Sequence, residues 1–151
     1  MNSFEAIEDL LAFAIRKERE AADFYVELAG SVREQGMAEV FHELAAEERQ
    51  HEALLQAVKV GDLELSAAGN VPDLKIADYM VKTRPEPGMS YQDALILAMH
   101  REKASFRLYS NLAAVTNNAT VRQMLLGMAQ EEAKHKLKLE VQYDQVILTE
   151  N

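Results

Sequence analysis

The sequence predicts an all-α protein, a four-helix bundle made of two repeated helical hairpins with a long crossover between the second and third helices. Three observations carry that prediction. Apolar residues recur at steps of three and four through four separate segments, which is the inward stripe of a helix packed on other helices. Residues of the first half reappear 84 positions later in the second. Each stripe is interrupted near its middle by charge, and the interruptions keep the same offset.

The first helix is expected over Ser3 to Ala29, where Phe4, Ile7, Leu11, Ala14, Glu18, Ala21, Tyr25 and Leu28 form the stripe. Asn2 or Ser3 caps it, Glu5 completes a capping box with Asn2, and Gly30 offers a C′ stop. A short connection, residues 31–36, predicts an antiparallel second helix from about Met37 to Val60, ended by Gly61. Its stripe reads Met37, Phe41, Leu44, Glu48, His51, Leu55 and Val58. Residues 61–89 hold Gly61, Gly69, Pro72, Pro85, Pro87 and Gly88 and are expected to form the crossover, with a short helix near Leu74 to Lys82. A helix of the second one's length spans about 36 Å, a distance this segment can retrace.

Ser90 and Asp93 form another capping box, and Tyr91, Leu95, Ala98, Glu102, Ser105, Tyr109 and Leu112 carry the third stripe. After a loop near Thr116 to Asn118, the fourth helix runs from Ala119 to Leu148, with Val121, Leu125, Met128, Glu132, His135 and Leu139 inward. The chain of 151 residues thus reads as one domain, 1–151, composed of hairpin 3–60, crossover 61–89 and hairpin 90–148. The offset of 84 maps Glu18 to Glu102, Tyr25 to Tyr109, Glu48 to Glu132 and His51 to His135, so the hairpins relate by an internal pseudo-twofold.

Composition narrows the function. A formal charge of −9 opposes binding to nucleic acid or to an anionic membrane surface, both of which need a basic face. Zero cysteines exclude thiolate-bound metal and thiol catalysis. The N-terminal stretch is acidic before it is apolar, unlike a secretory signal, and no apolar run approaches the roughly 18 residues of a membrane span. A cytoplasmic location is the expectation.

Burying Glu18, Glu48, Glu102 and Glu132 without counter-ions costs several kcal/mol each, on the order of magnitude for buried ions. Two divalent cations offset the four carboxylates and bring the formal charge from −9 to −5. Residues three apart share a helix face, so Glu48 with His51 and Glu132 with His135 each offer an oxygen and an imidazole to one region. One Glu from each of two helices plus Glu-x-x-His from each of the other two is the donor set of di-iron and di-manganese carboxylate bundles. Oxygen and imidazole donors suit iron or manganese, with zinc as a substitute. Tyr25 and Tyr109 lie two turns beyond Glu18 and Glu102, where their hydroxyls either bond a ligand carboxylate or leave the rings as core filling. His42 and His100 lie off the stripes and are expected at the surface. Glu47 and Glu131 are expected to point away from the site, solvated or in interhelical ion pairs.

The segments AIRKEREAADFYVELA and LAAEERQHEALL resemble the first hairpin of the rubrerythrin-like family of ferritin-like di-iron proteins, and AMHREKASFRLYSNLA with GMAQEEAKHKLKLE resembles the second. The resemblance covers most of the chain. It implies a ferritin-like fold, two iron ions, Glu48 and Glu132 as bridging carboxylates, Glu18 and Glu102 as terminal ones, and His51 and His135 as one imidazole per metal. It also implies an oxidoreductase that oxidises Fe(II) or reduces O₂ or H₂O₂, acting as a homodimer. Two departures qualify it. Rubrerythrins proper carry a cysteine-ligated rubredoxin domain, so a chain without cysteine needs an external electron donor; and Ser105 stands where they place a further Glu, which brings the site closer to a simple ferroxidase centre. Ferritin-like iron storage or detoxification, and a bundle merely stapled by metal, are the alternative readings.

Overall fold

The structure, a computed structural model, describes residues 3–32, 35–58, 86 and 88–150. They form four helices, α1 (Ser3–Ser31), α2 (Gln35–Gln56), α3 (Tyr91–Val115) and α4 (Ala119–Glu150), with no strand among the described residues. None of these helices is long and apolar enough to cross a membrane.

Local chemistry sets the start of the second hairpin. Gly88, at φ 75°, takes the left-handed conformation in a turn closed by Met89 N–H donating to the Glu86 carbonyl at 3.1 Å. Ser90 is then extended, and its Oγ accepts from Asp93 N–H at 3.0 Å, capping α3. Asn118 does the same for α4, its Oδ1 accepting from Val121 N–H at 3.1 Å. The Arg122 guanidinium donates back to the Ala113 and Thr116 carbonyls and ties the turn between α3 and α4.

Several helix ends differ from the sequence expectation. Gly30 lies inside α1, which continues because Val32 N–H still reaches the Leu28 carbonyl at 3.2 Å. Helix α2 starts two residues early and ends at Gln56, where Val58 N–H turns back onto Leu55 rather than extending the α-helical ladder. Helix α4 runs past Leu148 to Glu150. The Asn2 cap, the Gly61 stop, and the crossover with its short helix at Leu74 to Lys82 fall outside the described residues.

Side-chain pairs give the helix directions. Arg19 meets Glu52 and Asp23 meets Arg49, so α1 and α2 are antiparallel. Tyr91, at the start of α3, meets Gln142 late in α4, whereas Ala113, near the end of α3, meets Arg122 at the start of α4, so α3 and α4 are antiparallel too. Tyr25 meets Glu102 while Tyr109 meets Glu18, which makes α1 and α3 antiparallel as well. Helices α2 and α3 therefore run parallel.

The apolar core divides into two clusters. One holds Leu11, Ala14, Leu55, Leu108, Tyr109, Leu112, Leu125 and Met128; the other holds Phe24, Tyr25, Leu28, Phe41, Leu44, Leu95, Ala98 and Leu139. The offset of 84 carries each member of the first cluster onto the second or back, for example Leu11 onto Leu95 and Leu44 onto Met128. The repeat in sequence is thus a repeat in packing, and the layer between the two clusters holds the buried charge. Replacing Ser90 by Ala should lower unfolding stability by about 1 kcal/mol in urea denaturation while Ser90→Asp largely keeps it, because only the Ala variant loses the cap acceptor.

Candidate metal centre

Between the apolar clusters, Glu18, Glu48, His51, Glu102, Glu132 and His135 are all buried. Their positions follow from the helix period: each replaces an apolar residue on an inward stripe, so packing of the hairpins brings them together. Two groups result, Glu18–Glu48–His51–Glu132 and Glu48–Glu102–Glu132–His135, each offering ligand atoms that lie within 4.8 Å of one another. The offset of 84 exchanges the two groups. Glu48 and Glu132 belong to both, so the geometry marks them as the shared carboxylates.

The histidines reach across the bundle. Nδ1 of His51 lies 3.0 Å from Glu132 Oε1, and Nδ1 of His135 lies 3.0 Å from Glu48 Oε1. Their rings stack at 6.1 Å with an interplanar angle of 16°. The two tyrosines are crossed in the same manner: Tyr25 Oη donates to Glu102 Oε1 and Tyr109 Oη donates to Glu18 Oε1. Each phenol of one hairpin therefore holds the outer carboxylate of the other. Burial, and then the charge of the carboxylate it faces, pushes both phenols well above their ordinary value, so they remain protonated donors.

The arrangement fits a metal pair on its donor chemistry. Both carboxylate oxygens of Glu48 and of Glu132, Oε2 of Glu18 and of Glu102, and Nδ1 of both histidines are buried and make no well-directed hydrogen bond, although each Nδ1 lies 3.0 Å from a carboxylate oxygen. Buried polar atoms rarely go unsatisfied, and these are oxygen and nitrogen atoms aimed at common points. Metal–oxygen and metal–nitrogen distances of roughly 2.0–2.2 Å place opposed donors about 4 Å apart, within the observed spread.

In the metal-free protein, protons take over part of that role. Burial first, then the charges of Glu132 and Glu102, push Glu48 well above the usual carboxylate range. Burial and the charges of Glu102 and Glu18 do the same to Glu132. Burial would also raise Glu18, but its contacts with Glu48 and His51 win and hold it low. For His135 burial favours the neutral ring; contact with Glu102 and Glu48 outweighs this and pushes it up to about 10. Without metal, proton binding is thus favoured at Glu48, Glu132 and His135 and disfavoured at Glu18.

Three features were not legible as site features in the sequence. Glu47, expected to point away, lies with Oε2 against Nε2 of His135 on α4, although its side chain is 48% exposed. Its counterpart Glu131 does pair outward, with Lys134 at 3.4 Å. Lys17, one residue before Glu18, is buried; burial and the charge of Arg101 lower its pKa, while Glu20 and Glu18 pull it back up. Arg101, the residue 84 positions on, lays its guanidinium 4.2 Å from the centre of the Phe24 ring. The buried Lys17 beside Glu18 was detectable only as a basic residue flanking the stripe. His42 and His100 are exposed, and Ser105 is buried.

The family model described as Rubrerythrin matches residues 9–140. Among solved structures, a hypothetical protein from Pyrococcus furiosus aligns with TM-score 0.72 and 23% identity, covering 93% of this chain and 90% of that one. A protein described as a ferritin-like diiron-carboxylate protein from Thermotoga maritima aligns with TM-score 0.71 and 20% identity, covering 93% and 95%. At these identities the two structures establish the ferritin-like fold. No protein with a curated description matches the chain.

Groups whose folded pKa is raised contribute stability at low pH and lose it as pH rises from the unfolded value through the folded one. Glu48, Glu132 and His135 are raised, while Glu18 is depressed and stays ionised above its ordinary value of 4.5. The metal-free protein should therefore be more stable near about pH 6 than near about pH 9 in thermal denaturation. Adding a divalent metal at about pH 7 without buffer should release protons, read on a pH-stat, and zero release would contradict proton occupancy of the cluster.

Proposed function

Because the chain belongs to the rubrerythrin family, we propose that it holds two iron ions at this centre and works as an oxidoreductase on O₂ or H₂O₂, or as a ferroxidase, recharged by an external electron donor. The observation that carries the reading is the pair of donor groups related by the internal pseudo-twofold and sharing Glu48 and Glu132. Manganese suits the same donors, and zinc would occupy them without redox chemistry.

The residues have separable tasks in this reading. Glu48 and Glu132 belong to both donor groups and would be held in common by the two ions. Glu18 with His51 would complete one donor group, and Glu102 with His135 the other. Tyr25 and Tyr109 hold Glu102 and Glu18 by donating to one oxygen of each, which leaves the other oxygen, buried and unpartnered, for the metal. Contact with Glu47 fixes the His135 ring so that Nδ1 faces inward. The apolar clusters above and below exclude bulk water, which strengthens every charge interaction inside. When bound, iron supplies the electrons, two per pair, that reduce the oxidant. The absence of cysteine leaves this chain no thiolate-bound iron to refill the pair.

Glu48→Ala and His51→Ala should each abolish Fe(II)-dependent consumption of O₂ or H₂O₂, followed with an oxygen electrode and a peroxide assay. Tyr25→Phe, which keeps the ring and removes the donor, should retain iron but slow turnover. Wild-type turnover in both ligand variants would remove the proposal.

A further inference from the structure

The two hairpins repeat in the core but not on their outer faces. On the first, Arg19 pairs with Glu52 at 3.2 Å and Arg49 approaches Asp23 at 3.9 Å, so α1 and α2 are bridged by a self-neutralising set of charges. The equivalent positions on the second hairpin are Lys103, Lys136, Ala133 and Arg107. Both acids have become bases. Ala22 and Ala53 have also become Phe106 and Leu137, which are 40% and 60% exposed. The result is a groove of about 380 Å³ between α3 and α4, lined by these residues and by Glu140, which pairs with Lys136.

Nothing in the bundle requires this difference, since the first hairpin packs the same core with a neutral face. An exposed apolar pair ringed by cations on a chain of charge −9 is the opposite of its average surface. The groove also lies at the level of the centre along α3 and α4. Lys103, Ala133 and Lys136 are the residues immediately after the ligand candidates Glu102, Glu132 and His135, so no residue of chain separates the groove wall from the buried carboxylates and imidazole.

We propose that this groove is the docking surface for the external electron donor, and that the donor is a protein whose contact face is acidic with an apolar centre. This rests on the oxidoreductase reading above. Lys103 and Arg107 would steer the donor and Phe106 and Leu137 would seat it, in a contact of the small, transient kind that electron carriers form, below about 1,200 Å². Each encounter of a one-electron carrier oxidises that carrier and reduces one ferric ion to ferrous. Two encounters restore the pair, and no bond is made or broken in the groove.

The test uses an acidic flavodoxin as probe against the zinc-loaded full chain by isothermal titration, so that binding is read without turnover. Binding should weaken at least about tenfold in K103E/R107E at low ionic strength and disappear for the wild type at high salt. K134E, an equal type of charge reversal on α4 beside Glu131, should change it less than about twofold. Iron content and reduction by dithionite should be unchanged in K103E/R107E, and reduction of the ferric protein by flavodoxin should slow in step with binding. Unchanged flavodoxin affinity in K103E/R107E would overturn the proposal. So would a shift of that variant from dimer to monomer in sedimentation, because a second copy would then occupy the groove. Failure of dithionite to cycle the wild type would instead count against the oxidoreductase reading, and the zinc-form binding result would stand apart from it.

Discussion

Four carboxylates buried in one layer of a helical bundle are the constraint on which the rest of this molecule depends. Glu18, Glu48, Glu102 and Glu132 are each at most 2% exposed, and a low-dielectric core cannot hold four uncompensated negative charges. Every unusual feature nearby answers that constraint. The tyrosines donate into the layer, the histidines point their Nδ1 atoms into it, and Lys17 and Arg101 bring cations to its edge. Without metal, the raised proton affinity of Glu48, Glu132 and His135 works in the same direction. Two divalent ions would replace those protons with fixed charge at fixed points, converting a titrating cluster into a defined centre.

The pseudo-twofold explains why the cluster has two halves and not one. Each hairpin supplies an outer Glu, a Glu-x-x-His pair and a Tyr, but neither hairpin can complete a donor group alone. His51 meets Glu132 and His135 meets Glu48; Tyr25 holds Glu102 and Tyr109 holds Glu18. Assembly of the site is therefore coupled to docking of the hairpins, and packing of the two apolar clusters sets its geometry. The symmetry is broken in two places. Glu47 backs His135 while Glu131 turns away from the equivalent contact with His51, and the outer face is neutral on one hairpin and basic on the other.

Much of this was readable from periodicity, because an inward stripe interrupted by Glu or His is an energetic anomaly that needs a partner. The six buried side chains of this layer and both tyrosines stand out for that reason, as does the offset that joins them. What periodicity cannot report is which neighbouring helix a side chain reaches. Tyr25 could be placed near a carboxylate, yet the exchange between hairpins appeared only in three dimensions. Glu47 lies one position off the stripe, where the pattern allows solvent or an interhelical ion pair away from the site, and only the approach of α4 makes its partner a buried imidazole of the site. Gly30 is a local stop signal overruled by the continuing ladder at Val32, and α2 ends early because Val58 turns onto Leu55. The contrast between the outer faces was also present in sequence, at the same offset as the core repeat. It acquires meaning only once Arg19–Glu52 and Arg49–Asp23 are seen as pairs.

The central claim is that the buried layer is a two-metal centre sharing Glu48 and Glu132. A crystal grown with Fe(II) under anaerobic conditions, measured on both sides of the iron absorption edge, tests it most directly. Two anomalous peaks per chain are predicted, one flanked by Glu18 and His51 and the other by Glu102 and His135, with Glu48 and Glu132 contacting both. A folded chain whose six side chains keep their places around no peak, or around a single one, would contradict it.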